Sequence, residues 1–336
     1  MALIIPYFIH HRGCPHRCLF CNQHGIAGAN QDDSNDPVAD LVQTIERWLA
    51  RSRQQEQVQV AFFGGSFTCL DEMLQLELLK AVAPHIESKR VDSIRLSTRP
   101  DCLNAEIVDF LVSAGVSTIE IGAQSMNDRV LKQAGRGHTS AQVETAVELL
   151  AGKGVETGIQ LMAGLPGETT RSFLDGVRKV VEMSPNLVRL YPTLVLKNTE
   201  LAALYEQSTW RPLSLERAVS LIARARTMLV SNGIKVIRMG LQPTVELETQ
   251  LIAGPYHPAF GELVNTRCWY KKIRPLLVKA GRGKMVRLTL SDKDYSALTG
   301  LKKQNLQRLQ GLAHGARLHV ETDPGVERGT YRYTVN

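Results

Sequence analysis

Short apolar runs alternate along the chain with longer stretches in which apolar residues recur every three or four positions. Runs of roughly 4–8 apolar and β-branched residues read as buried strands, and a recurrence of about 3.6 residues reads as amphipathic helix. On that pattern strands are predicted at Leu3–Ile9, Val58–Phe63, Ser93–Thr98, Ser117–Ala123, Thr157–Met162 and Leu187–Pro192. Helices are predicted near 37–52, 70–83, 104–114, 127–152, 168–183 and 214–232, the fourth interrupted at Gly135-Arg136-Gly137. Ser113-Ala114-Gly115, Gly152-Lys153-Gly154 and Ser231-Asn232-Gly233 place glycine stops at helix ends, each before a strand-like run. Strands each followed by a helix require parallel, right-handed crossovers. The expected class is α/β, as a partial barrel or an open doubly wound sheet, and periodicity leaves both open.

The pattern changes after Ile237. Residues 238–285 are weakly periodic and rich in Gly and Pro. A strand at Val286–Leu290, a helix opening at Ser291 or Asp292, and strands near Ala316–Glu321 and Thr330–Val335 follow. The reading divides the chain into a core at 1–240, a connecting or lid segment at 241–285, and a small α/β appendage at 286–336. The stretch 254–264 is read either as a loop that closes over the barrel mouth and presents Tyr256 or His257 to a substrate, or as a structural linker.

Composition adds the charge distribution. The 336 residues are 43% hydrophobic and 22% charged, an ordinary globular balance. Net charge is +7, but twelve Lys or Arg between Lys271 and Arg317 meet only Asp292 and Asp294. That basic segment suggests an anionic partner. No apolar run reaches the roughly 18 residues that span a bilayer. The opening Met1 to Ile9 run lacks a charged leader, so a cytoplasmic protein is expected.

Three of the six cysteines crowd into "CPHRCLFC" as Cys14, Cys18 and Cys21, just after the first strand. Cys69, Cys102 and Cys268 are scattered, and all six are expected to be reduced. Loops at this end of a parallel sheet build active sites. Three thiolates on one loop suit an iron–sulfur cluster with one iron left open. The alternative is a zinc site with His10, His16 or His24 as fourth ligand, although no second cysteine pair is present.

Polar or glycine residues also stand at later strand ends. Gly64-Gly65-Ser66 puts bare backbone where a ligand can approach closely. Ser97, Arg99 and Asp101 end the third strand; Arg99 and Asp101 also suit a helix-capping turn. Gln124 ends the fourth strand, with Arg136 and His138 in the glycine-rich break beyond it. A Gln can bond a hydroxyl and an Arg can hold a carboxylate. Gln160 lies in the fifth strand, before Gly164-Leu165-Pro166-Gly167.

The chain resembles the radical S-adenosylmethionine (SAM) superfamily in C-x-x-x-C-x-aromatic-C, with Phe20 as the aromatic, and in its later strand ends. The resemblance implies a partial (β/α)6 barrel with a small basic α/β appendage. It implies a [4Fe–4S] cluster on Cys14, Cys18 and Cys21, whose open iron chelates SAM. Reductive cleavage would then give methionine and a 5′-deoxyadenosyl radical. Gly64, Gly65 and Ser66 are implied to meet the SAM amino group. Gln124, Arg136 and, at the place of an Asp in some members, Gln160 are implied as further SAM contacts. Ser97 stands where many relatives have Glu. Glu120 and His138 are read as ordering the site.

The wording "CPHRCLFCNQ", "GRGHT" and "RLYPTLVLKNTEL" is similar to the tRNA-modifying family of the elongator catalytic subunit, and more distantly to oxygen-independent coproporphyrinogen oxidases. Gly281-Arg282-Gly283-Lys284 is too short for an acetyl-CoA loop, so acetyl transfer is not expected. Cys268 is a candidate hydrogen-atom donor or a buried thiol. Candidate partners are tRNA and an electron donor of flavodoxin or ferredoxin type. The competing readings are a radical SAM enzyme on a porphyrin-like or cofactor-precursor substrate, and a non-catalytic iron–sulfur or zinc module.

Overall fold

Capped helices separate the strands of the first two-thirds of the chain. The computed structural model describes residues 3–9, 13–22, 36–51, 57–312 and 316–336. One sheet contains β1 (Leu3–Phe8), β2 (Val58–Phe63), β3 (Ser93–Thr98), β4 (Val116–Gln124), β5 (Glu156–Ala163) and β6 (Leu187–Pro192). A short β7 (Val195–Leu196) lies outside it, and β8 (Lys235–Met239) completes it as a seventh strand. Neighbours run in the order β1-β2-β3-β4-β5-β6-β8, and every pair is parallel. This is the half-barrel expected of the fold class, with one strand beyond the six counted from the pattern. The β8 strand follows the Gly233 stop, where a strand-like run was noted.

The intervening helices are α1 (Pro37–Arg51), α2 (Glu72–Glu87), α3 (Ala105–Ser113), α4 (Asp128–Gln133), α5 (Ser140–Leu150) and α6 (Thr170–Met183). Side-chain caps start them: Asp71 accepts from Met73 N, and Asn104 from Ile107 N. Thr139 with Gln142, and Thr169 with Ser172, close capping boxes. The stretch predicted as helix at 127–152, interrupted at Gly135-Arg136-Gly137, forms two helices, α4 and α5, because the chain turns at Gly135 and Gly137, both at positive φ. Then come α7 (Glu200–Glu206), α8 (Leu215–Ser231) and α9 (Val245–Gln250). A short β9 (Leu251–Ala253) pairs antiparallel with β7.

Strand alternation sorts the residues by face. Val60, Phe62, Ile94, Leu96, Ile119, Ile121, Ile159 and Leu161 are buried as core. The alternate positions carry Arg95, Ser97, Glu120, Gln160 and Arg189, which meet one another on the other face.

The chain forms two compact units, residues 1–214 with 228–256, and residues 215–227 with 257–336. The second unit holds α10 (Phe260–Ala280), β10 (Met285–Leu290), α11 (Tyr295–Thr299), α12 (Gln304–Leu312), β11 (Arg317–Thr322) and β12 (Tyr331–Val335). Here the structure corrects two readings. The supposed loop at 254–264 ends at Ala259, where α10 begins and runs for 21 residues through Pro275. The one helix expected after Ser291 is two, with a glycine-led turn between them. No described helix is long and apolar enough to cross a membrane.

A third correction concerns cysteine. Cys69 and Cys102 form a disulfide with Cα atoms 5.5 Å apart. Parallel neighbours β2 and β3 deliver their C-terminal loops side by side, which brings together thiols 33 residues apart. The other four cysteines are unbridged.

Candidate active site

The Cys14–Cys21 loop follows β1 and is held by close backbone packing. Gly13 has φ +75°, and a Cβ there would lie 2.3 Å from the Ser66 carbonyl oxygen. A Cβ on Gly137 would lie 2.2 Å from the His16 ring. Leu19 N donates to Ala134 O at 3.2 Å, and Leu201 N to Leu19 O at 2.9 Å. Phe20 packs against Val130, Ala134 and Leu165. The loop is thus fixed by the β2 end, the α4–α5 turn and α7.

The three thiols are unbridged, and Cys18 is buried. Burial and then the neighbouring Cys18 push the Cys14 thiol above its ordinary range, against the pull of Arg99 and Arg136. Among the described residues no three His, Cys, Asp or Glu side chains are gathered to hold a metal ion. The fit to a cluster therefore rests on donor chemistry: three soft sulfur donors on one loop, with an arginine beside them, suit iron–sulfur. Of the zinc alternatives, His16 is exposed against Gly137, while His10 and His24 lie outside the described residues.

Arg136 links this loop to the sheet. Its Nη1 donates to Cys18 Sγ at 3.0 Å and its Nη2 to Gly122 O at 2.5 Å. Its Nε is buried without a partner. Arg99 Nη2 donates to Arg136 O at 2.6 Å, and Arg99 grips Asp101 through Nε at 2.9 Å and Nη2 at 2.8 Å. Arg99 and Asp101 therefore hold the Arg136 turn, a use the capping-turn reading missed.

Gln124 ends β4 at φ +65°, backbone that side chains other than glycine rarely adopt. Its Oε1 is buried and has no hydrogen-bond partner in the protein. A strained backbone and an orphaned acceptor at one position leave it able to receive a hydrogen-bond donor from a ligand. Gly64, at φ +85°, and Gly65 keep their backbone at the β2 end. Ser66 is fully buried, and its hydroxyl is spent on Arg99 N at 3.1 Å, Thr98 Oγ1 at 3.0 Å and Cys69 Sγ at 2.9 Å. The Ser66 side chain thus braces the β2 and β3 ends.

Gln160 joins a buried charged layer. Its Nε2 donates to Glu120 Oε2 at 2.9 Å and Ser97 Oγ at 3.2 Å. Glu120 is fully buried, 2.9 Å from Arg95 Nε and 2.6 Å from Arg189 Nε. Arg189 also lies over the Phe63 ring at 5.2 Å, and Arg189 Nη1 donates to Tyr191 Oη at 3.5 Å. Sequence reasoning missed both arginines. The available signal was polar residues at alternate positions of otherwise apolar strands.

Two titratable groups flank these strand ends. His138 is held neutral, its pKa pushed down to about 4 by burial and then by Arg136 and Arg99. Its Nε2 lies 3.2 Å from Ala123 O, the geometry of a neutral ring donating to a carbonyl. Burial pushes Glu168 up to about 8. Glu168 accepts from Gly164 N at 2.7 Å and so pins the Gly164–Gly167 turn.

The three substrate-facing candidates have local partners. Tyr256 Oη donates to Glu248 at 2.6 Å, and its ring packs on Leu194, Leu196 and Leu247. Burial, followed by Glu248, raises the Tyr256 hydroxyl to about 12. In the second unit, His257 Nδ1 accepts from Ala259 N at 3.0 Å, and Cys268 Sγ lies 3.7 Å from Ala223 O.

The sequence model of the radical SAM superfamily matches residues 8–180, and that of the Radical_SAM C-terminal domain matches residues 185–270. The chain belongs to the radical SAM superfamily. It is an enzyme of that type, and the family uses a [4Fe–4S] cluster and SAM. The bland metal-module reading is set aside on that membership.

Among curated relatives, a heme chaperone HemW of Haemophilus influenzae is 31% identical over 203 residues, 59% of this chain and 53% of that protein. A tRNA uridine(34) acetyltransferase of Methanocaldococcus jannaschii is 24% identical over 255 residues, 64% of this chain and 47% of that protein. The chain thus spans about half the length of these relatives. A solved N-terminally truncated archaeal Elp3 from Methanocaldococcus infernus has the same fold, with TM-score 0.63 at 20% identity over 82% of this chain and 63% of that one.

Proposed function

We propose that this radical SAM enzyme modifies tRNA, with its cluster on Cys14, Cys18 and Cys21 and SAM received at Gly64, Gly65, Gln124 and Arg136. The observation that carries the site is Gln124, whose buried Oε1 has no partner and whose backbone is held at φ +65° beside Arg136. A [4Fe–4S] cluster with SAM supplies one-electron cleavage of SAM to methionine and a 5′-deoxyadenosyl radical.

This chain's own residues hold and orient. The Gly64–Gly65 backbone offers N–H groups at a strand end with no Cβ in the way. Gln124 Oε1 accepts a hydroxyl proton donor, and Arg136 presents positive charge beside the Cys18 sulfur. Gln160 Nε2 is committed to Glu120 and Ser97, so that end of the side chain supports the layer beneath. An electron donor of flavodoxin or ferredoxin type reduces the site, in the cytoplasm.

The RNA substrate is supported by the tRNA-acting relative and by the basic segment from Lys271 to Arg317. Mass spectrometry of tRNA nucleosides from cells with and without the gene tests it. Loss of one modified nucleoside is expected, and an unchanged profile contradicts it. A second reading, a tetrapyrrole-related role, is favoured by the 31% identity to the heme chaperone. Tight heme binding by the purified protein with an unchanged tRNA profile would select that reading.

A further inference from the structure

The second compact unit has a topology of its own. Its sheet runs β11-β10-β12, with β10 parallel to β11 and antiparallel to β12. Between the parallel strands the chain passes through α11, a turn at Gly300-Leu301-Lys302-Lys303, and α12. Trp269, Tyr270 and Ile273 of α10, Leu298 of α11 and Leu309 of α12 pack with Leu288 of β10 in one core. The three helices therefore cover one sheet face.

The turn is built tightly and points charge outward. Gly300 has φ +71°, and a Cβ there would meet Asn305 Cβ and Thr266 Cγ2 at 3.0 Å. Asn305 is buried, and its Nδ2 donates to Leu298 O at 2.7 Å, which ties α12 back to α11 across the turn. Lys302 and Lys303 follow at φ +50° and +60°, both exposed. Neither forms an ion pair with another described residue. Leu301 between them and Gly300 is 45% exposed. The other sheet face is polar, with exposed Arg287, Arg317, His319 and Arg332, of which Arg287 and His319 pair with Glu321 and Arg332 with Asp323.

A strand–helix–glycine turn–helix–strand unit with parallel strands is the arrangement by which KH modules clamp the backbone of single-stranded nucleic acid. Here Lys303 stands where the second glycine of such a turn would be, in the backbone conformation glycine favours. Two adjacent lysines on a rigid turn suit two successive phosphates, and Leu301 offers an apolar contact to a base. Charge favours the occupant: from Lys271 to Arg317 twelve cations meet two acids, which suits a polyanionic partner.

We infer that this unit is a single-stranded RNA clamp, with Gly300–Lys303 as its phosphate grip. The choice of RNA over other nucleic acid rests on the tRNA reading above. Residues 271–336 lie beyond both matched family stretches.

The test uses the full-length protein, purified anaerobically, and a labelled single-stranded RNA oligonucleotide alone or annealed to its complement. Binding is measured across a salt series for wild type, Lys302→Gln/Lys303→Gln, and Lys279→Gln/Lys284→Gln. Lys284 adjoins the start of β10, at the end of the strand remote from α11. The inference expects tighter binding of the single strand than the duplex. It expects the turn variant to lose affinity on the order of tenfold and to flatten the slope of log K against log salt by about 1.4. The control pair should lose clearly less. Equal loss in both pairs, a preference for duplex, or no loss in the turn variant overturns it. The same variants are assayed for 5′-deoxyadenosine formation from SAM without RNA, which the turn variant should retain. Failure of SAM cleavage in wild type would strike the active-site reading and leave the binding comparison standing.

Discussion

Arg136 Nη1 donates a 3.0 Å hydrogen bond to the sulfur of Cys18, a residue 118 positions earlier in the chain. The contact joins the α4–α5 turn to the cysteine loop, and Arg136 Nη2 ties both to Gly122 of β4. Charge-assisted bonds of this kind are worth about 1.5–3 kcal/mol. Arg136→Leu should therefore lower 5′-deoxyadenosine formation by roughly tenfold or more, with the fold retained by circular dichroism. Wild-type turnover in that variant would remove Arg136 from the site.

Glu120 is the single carboxylate between Arg95 and Arg189 on the inner strand face. Glu120→Ala leaves two buried guanidinium groups without their counter-charge. A loss of about 3–5 kcal/mol is expected in urea unfolding. A loss below 1 kcal/mol would show that water or another group already compensates them.

Gly13 tests the seating of the cysteine loop. Any side chain there strikes the Ser66 carbonyl and requires φ +75°. Gly13→Val should fold but bind much less iron after anaerobic reconstitution. Full iron content would show that the loop is free to shift.

Stability should fall as pH rises, because of Glu168. Its folded pKa is raised to about 8 from 4.5, chiefly by burial. The folded chain thus holds the proton more tightly than the unfolded chain. The stabilisation is complete below about pH 4.5 and is lost as pH rises through about 8, on the order of 5 kcal/mol. Glu168→Gln should flatten that decline in unfolding measured between about pH 5 and about pH 9. An identical slope in the variant contradicts the assignment.

The Cys69–Cys102 bridge closes the loop between the ends of β2 and β3. Reduction should cost about 2–4 kcal/mol in unfolding free energy. Cys69→Ser/Cys102→Ser should start lower and be indifferent to reductant. Equal stability with and without reductant in wild type would argue against the bridge.

The positions of the first six strands and the cysteine loop were legible in the sequence because both are local. Apolar runs such as Val58–Phe63 carry their own strand signal, and three cysteines in eight residues carry their own chemistry. What sequence could not show depends on register. Arg95, Glu120 and Arg189 become neighbours only once β3, β4, β5 and β6 are laid side by side. The Cys69–Cys102 pair likewise exists only through the β2–β3 pairing. The long helix α10 was hidden by Pro275 and by basic residues that interrupt its apolar face of Trp269, Tyr270, Ile273 and Leu277. The positive φ of Gln124 leaves no mark on composition, since it is imposed by the strand end.

In the proposed function, Cys14, Cys18 and Cys21 hold the cluster that begins the chemistry of this enzyme. The direct measurement is 5′-deoxyadenosine released from SAM by the anaerobically reconstituted protein under a strong reductant. Wild type is predicted to bind about four irons and four sulfides per chain and to release 5′-deoxyadenosine. Cys14→Ala/Cys18→Ala/Cys21→Ala is predicted to be colourless and inactive. A colourless wild type containing one zinc, or SAM cleavage that survives the triple substitution, would contradict the account.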